Sequence, residues 1–372
     1  MKRKILTLSF LLLLCAVSGL AQDKNPGQTD HPDGKKGISL PPQGTDVLGT
    51  ERGADTKPAS PQASDDASAA PDTILFGNGR YIGGVKNKLM EGMGLLLNEN
   101  GDTLYLGEHK AGKRHGKGIR YFKNGNIYDG EWVEGEMQGQ GSYVYAAGGR
   151  YEGQWINGQR HGKGVYTFPN GSVYEGEFDR DMIQGKGKLT FSTGFYEGGW
   201  VNGQQTGQGY RVVEADGYRE EYTGAFLNGK PQGHGSRKYY KGDVVSTYEG
   251  NWEDGRRKGA GTYEFDGRTY AGVWQEDEAT GQGTCTSEEG TYTGAINRGF
   301  FEGQGTFTYL DGEIYSGEWS RGRRQGKGTH VYADQSVYEG EWYMGKRHGQ
   351  GTLTYPDGKK LTGTFKNGQY EN

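Results

Sequence analysis

The chain of 372 residues is short of most things from which a compact globular core is made. Only 32% of it is apolar, too little for an ordinary buried core at this length. It has two cysteines. Cys15 lies in a segment read below as a removed leader, so one thiol, Cys285, remains and no internal disulfide can form. Cys285 falls at an inward apolar position and reads as a small core residue. The net charge of −4 gives no general attraction to nucleic acid or to anionic membranes. No stretch carries the helical apolar period, which excludes the strand–helix settings that Walker and dinucleotide loops need. Among 70 glycines an isolated G-x-G-x-x-G match means nothing, and the lack of a three-residue glycine period excludes collagen.

What the chain does have is a repeat. Tyr151 to Val173, YEGQWINGQRHGKGVYTFPNGSV, returns about a dozen times. The anchor Tyr-x-Gly-x-Trp starts at Tyr105, Tyr128, Tyr151, Tyr174, Tyr196, Tyr222, Tyr248, Tyr270, Tyr292, Tyr315 and Tyr338. Looser copies start at Tyr81 and Leu361. Steps are mostly 22 or 23 residues and reach 26 after Tyr196 and Tyr222. A second half follows, Gly-x-Gly-x-Φ-x-Φ with Φ usually aromatic or aliphatic, as at Gly162, Gly164, Tyr166 and Phe168. Both halves alternate with period two, the pattern of strands with one buried face. Anchor tyrosine and first Φ are always fifteen residues apart, which predicts Tyr151 opposite Tyr166, Gly153 opposite Gly164 and Trp155 opposite Gly162. A one-residue slip would turn every ring to the wrong face. The polar stretch Ile156 to His161 reads as a six-residue loop.

Between repeats, keeping the rings on one face requires a three-residue loop such as Pro169-Asn170-Gly171, a type I turn with glycine in the left-handed position. Gln335 replaces that glycine, so its turn is expected to be strained or different. Asp266-Gly267 suits a two-residue type I′ turn. Ser192-Thr193 and Glu288-Glu289 lack that chemistry and have no account at this level. The stretches 214–221 and 242–247 read as loop-like breaks.

The fold predicted is all-β: an elongated, single-layer, twisted antiparallel meander of about twenty-five strands, roughly 120 Å long. One face carries glycine rows beside an aromatic ladder of Tyr128, Trp132, Tyr151, Trp155, Tyr174, Phe178, Tyr196, Trp200, Tyr248, Trp252, Tyr315, Trp319, Tyr338 and Trp342. The other face is polar, with Glu177 expected opposite Lys186, Glu175 opposite Lys188 and Glu318 opposite Lys327. Tyr-Glu-Gly-Glu-Trp, then Gly, then His-Gly-x-Gly, then Asp/Asn-Gly resembles the MORN repeat (membrane occupation and recognition nexus), with Tyr338 to Gly358 close to a consensus copy. His109, Ile296 and Val85 depart from the tryptophan position. The resemblance implies a repeat module with a link to membranes. Where such repeats occur in kinases or methyltransferases, a separate domain carries the chemistry.

Residues 1–21 read as a signal peptide: Lys2, Arg3 and Lys4, an apolar run from Ile5 to Val17, and a small-residue cleavage site at Gly19-Leu20-Ala21. A retained anchor is the alternative. Residues 22–72 read as a disordered polar linker, and 73–372 as the repeat array. Thr73 to Gly79 resembles the tail of a repeat and a first strand. No catalytic, cofactor-binding or metal constellation is visible; His115, His161 and His348 sit in separate repeats too far apart to share an ion. The expected function is a non-catalytic exported scaffold that binds protein partners at the cell envelope (periplasmic, outer-surface or extracellular), with homodimerisation through an array end such as the open strand Leu361 to Phe365. Two alternatives stay open. One is peripheral binding to anionic lipid through basic loop clusters: Lys113, Arg114 and His115; Arg256, Arg257 and Lys258; Arg323, Arg324, Lys346, Arg347 and His348. The other is glycan binding on the aromatic face.

Overall fold

The structure, a computed structural model, describes residues 72–77 and 79–371. The leader (1–21) and all but Asp72 of the predicted linker lie outside them. The described residues form 27 strands and no helix. They divide into two compact units, 72–204 and 205–371. Within each unit every strand pairs antiparallel with its neighbours in sequence, the meander that the repeat predicts. The predicted first strand is present as Asp72–Phe76.

The long-range register follows the Tyr–Φ spacing: Tyr151 faces Tyr166 and Gly153 faces Gly164, and Tyr338 faces Leu353 at the far end. The tryptophan register does not. Past Gly153 the pairing skips Gly162 and Lys163, so that Gln154 faces His161 and Trp155 faces Arg160. Trp155 meets its glycine on the preceding strand instead, at Gly139. The cause is a bulge at Gly162, φ 56°, which consumes residues of the expected loop. The six-residue loop is therefore a two-residue turn, Asn157-Gly158, with φ of 50° and 78°. Positive φ at both positions is the type I′ signature, whose twist matches the flanking strands.

The bulge explains the glutamate that several repeats carry just before the tryptophan position. Glu108, Glu131 and Glu318 accept hydrogen bonds from the backbone N–H of Lys117, Gln140 and Lys327, just past the bulge glycine, at 3.0, 3.2 and 2.9 Å. Of the predicted cross-strand charge pairs, Glu175 does face Lys188, but Glu177 faces Gln184 and Glu318 caps a backbone amide rather than facing a lysine.

The links between repeats form as predicted. Gly171 donates to the Phe168 carbonyl at 2.9 Å, and Phe168 donates to that of Ser172 at 2.8 Å. Gln335 adopts the same left-handed conformation, φ 67°, in a turn with the same two bonds, so the turn is not different. A non-glycine side chain costs about 1 kcal/mol there. Gln335→Gly is accordingly expected to stabilise the surrounding repeats by about 1 kcal/mol, read as a higher urea midpoint. The two unexplained turns share a device: Ser192, Thr193, Glu288 and Glu289 keep negative φ, and the glycine that follows, Gly194 or Gly290, takes φ 149° or 146°. The glycine absorbs the twist that a non-primed turn leaves over. The stretches read as breaks are the ends of lengthened strands, Gln204–Ala215, Tyr218–Leu227, Lys230–Lys241 and Val244–Glu253, with two-residue turns at 216–217 and 242–243.

Candidate functional site

The aromatic ladder is where most of the packing lies, and it is closed on itself. Each anchor tyrosine lies flat across a pair of facing glycines, with its hydroxyl donating to the carbonyl three residues on, as Tyr151 does to Gln154 at 2.9 Å. All seven tryptophans donate their indole N–H to a glycine carbonyl on the adjacent strand, as Trp132 does to Gly118 at 2.9 Å and Trp342 to Gly328 at 3.1 Å. Tyrosine and tryptophan rings meet edge to face, for example Tyr128 and Trp155 with centroids 5.3 Å apart, the arrangement that aromatic quadrupoles favour. Every ladder residue named above is at most 4% exposed. Burial pushes the phenols of Tyr128, Tyr151 and Tyr174 well above their usual range. The ladder thus has no free ring face for a sugar to stack on, which removes the basis for glycan binding there.

The basic clusters are not what a loop would make them. Because the loop is a two-residue turn, every second basic residue points into the sheet. Arg114, Arg257, Arg324 and Arg347 lie over ring faces, with guanidinium carbons 4.6 Å from Trp132, 4.0 Å from Trp274, 4.4 Å from Trp342 and 5.3 Å from Phe365. Each also donates to a carbonyl of the next repeat's turn: Gly135, Asp277, Gly345 and Gly368, at 2.7–2.8 Å. They are staples between repeats, held by cation–π attraction and hydrogen bonds. Arg160, only 1% exposed, belongs to the same set, and sequence reasoning missed it. A signal was available: an aspartate, Asp181 or Asp277, replaces the turn glycine in the repeat after Arg160 or Arg257.

The remaining cluster residues stay at the rim. Lys113 pairs with Glu134 at 2.8 Å, Arg256 with Glu276 and Lys258 with Glu253. Arg321, Arg323 and Lys346 are exposed and, among the described residues, have no carboxylate within ion-pair distance. His161 lies 3.1 Å from Asp179, His348 packs against Tyr343 and His115 is half-buried. No group of three or more His, Cys, Asp or Glu could hold a metal ion among the described residues. Cys285 is buried and is not part of a disulfide. No helix of the described residues is long and apolar enough to cross a membrane.

Two ladder positions hold histidines, His109 and His330, and burial lowers the pKa of both. His330, 4% exposed, accepts from Arg324 at Nδ1 (2.7 Å) and therefore donates from Nε2 to Glu313 (3.0 Å). Burial, and then the Arg324 charge, lower its pKa to about 4. The unfolded chain binds this proton near pH ~6.5 and the folded chain does not, so stability rises with pH in that window. Lowering the pH from 7 to 4 is expected to cost about 2–4 kcal/mol through this residue. His330→Phe should flatten the profile of urea midpoint against pH.

Solved structures similar to the chain include the SAS-4 TCP domain of Drosophila melanogaster in complex with a proline-rich motif of Ana2. It is 11% identical, with 67% of this chain and 90% of that one covered, at a TM-score of 0.16. A catalytically inactive virginiamycin B lyase from Staphylococcus aureus with quinupristin is 10% identical over 76% and 89%, at 0.13. At such scores neither carries an argument. No curated protein matches the chain. The MORN repeat model matches twelve tandem segments from residue 81 to residue 360. With twelve copies over most of its length, each built on the same buried ladder, the chain belongs to the MORN-repeat family.

Proposed function

We propose that this protein is a non-catalytic binding scaffold, exported to the cell envelope, that presents a preformed repeat surface to a protein partner. The observation that supports this reading is the closed ladder. The packing needs no ligand or second layer to complete it, so the polar face and the turn rim are left for recognition, and a preformed surface loses little entropy on binding. MORN repeats are a non-catalytic repeat module, commonly used for protein or lipid interaction. The test uses the exported chain as bait for envelope extract, with light scattering of the purified chain alongside. A defined partner at fixed stoichiometry, or a dimer, is expected. A monomer with no partner would overturn the reading.

A second reading, anionic-lipid binding, is favoured by Arg321, Arg323 and Lys346, exposed and without partner carboxylates. It predicts co-sedimentation with phosphatidylserine vesicles at low salt, weakened at physiological salt and lost in Arg321→Glu/Arg323→Glu/Lys346→Glu. Arg324 and Arg347 are unsuitable for that test because they staple repeats. Equal sedimentation with neutral vesicles, or none, would exclude it.

A further inference from the structure

The outer face, opposite the ladder, changes character along the first unit. Across the strands Glu136–Val144 to Gly194–Val201 its central row reads Ser142, Glu152, Val165, Glu175, Lys188 and Glu197, a solvated mixture of charges. Over the first strands the same row is aliphatic without a break: Ile82 faces Leu95, Leu95 faces Leu106 and Leu106 faces Ile119. Met93, 60% exposed, and Leu75, 78% exposed, extend the patch to either side. A contiguous apolar patch on an otherwise charged sheet marks a contact surface.

The chain itself contains a matching segment. Between Gln22 and Pro71 the only Val, Ile, Leu or Met residues are Ile38, Leu40, Val47 and Leu48. They fall within eleven residues, and the rest of that stretch is polar. It joins the structure at Asp72, in the strand that forms the edge of the patch. The 24 steps from Leu48 to Asp72 can span up to about 80 Å, whereas Ile82 to Ile119 is three strand spacings, about 14 Å. Being on the same chain, the segment meets the patch at millimolar effective concentration.

We propose that residues 38–48 dock in cis on the outer apolar patch formed by Leu75, Ile82, Met93, Leu95, Leu106 and Ile119. The four aliphatic side chains cover the row that the sheet leaves open.

Two measurements on the exported full chain test this. Hydrogen exchange needs no substitution: amides of residues 37–49 should exchange about ten-fold or more slowly than those of 55–68, and equal rates would overturn the proposal. Disulfide trapping in a Cys285→Ser background gives the location. Leu40→Cys should bond to Leu106→Cys within one molecule about ten-fold or more faster than to Glu175→Cys on the charged part of the same face. The advantage should vanish when Ile38, Val47 and Leu48 become serine. Equal rates at the two positions would overturn cis docking. So would a bond that forms only between molecules, which would give the patch to a second copy.

Discussion

Arg160→Ala is expected to destabilise the first unit by about 3–5 kcal/mol, the cost of breaking a buried charge pair from one side. The guanidinium has no access to solvent. Its Nε donates to Asp181 Oδ1 and its Nη2 to the Asp181 carbonyl, both at 3.0 Å, and its Nη1 donates to the Tyr145 hydroxyl at 3.1 Å. The Arg160 backbone N–H reaches the same carboxylate at 3.0 Å, and Asp181 N–H returns a bond to the Arg160 carbonyl at 3.0 Å. Three rings surround it, with centroids at 5.7–5.9 Å. Truncation leaves the Asp181 carboxylate, 26% exposed, without its cation. The preceding repeat shows how to dispense with the pair. There Met137 occupies the arginine position, and the turn residue donating to its carbonyl is Gly158, at 2.9 Å. Arg160→Met with Asp181→Gly should therefore come within about 1 kcal/mol of the parent, although Arg160→Met alone costs about 2. Urea unfolding followed by tryptophan fluorescence reads all three. Two equally destabilised methionine variants would show that the pair is not the source.

Gly153→Ala is expected to cost about 3 kcal/mol, at the upper end for overpacking. A Cβ there would lie 2.6 Å from Gly164 Cα, 2.6 Å from the Tyr151 hydroxyl and 2.7 Å from the Lys163 carbonyl. Two of the three are backbone atoms, and the tyrosine ring cannot lift without giving up its bond to Gln154. Gly153 has no positive φ, so the penalty is purely steric. Gly171→Ala separates the two causes: its Cβ would meet nothing within 4 Å, but its φ is 83°, and about 1 kcal/mol is expected. Gly77→Ala, with open space and no positive φ, should be neutral. If all three cost the same, the glycines serve chain flexibility rather than the seating of rings. Tyr151→Phe, which keeps the ring and loses only the hydroxyl bond, should cost about 1 kcal/mol.

The amino-acid pattern by itself determined the period, the all-β class, the face of each ring, the Tyr151–Tyr166 type of register and the three-residue turns at Gly171 and its equivalents. These are consequences of alternation and of turn chemistry within about twenty residues, and both are local. Tertiary structure decided the rest. Alternation cannot reveal a pair of residues dropped from one strand's ladder, so the bulge at Gly162, the shortened turn at Asn157-Gly158 and the transfer of Trp155 from Gly162 to Gly139 were hidden. The fate of the arginines followed from that shift. In a loop they would face water, but in a strand Arg114, Arg160, Arg257, Arg324 and Arg347 alternate inward and have only ring faces and the next repeat's turn to meet. Whether a charged side chain is a surface feature or a staple depends on packing between repeats, which no single repeat contains.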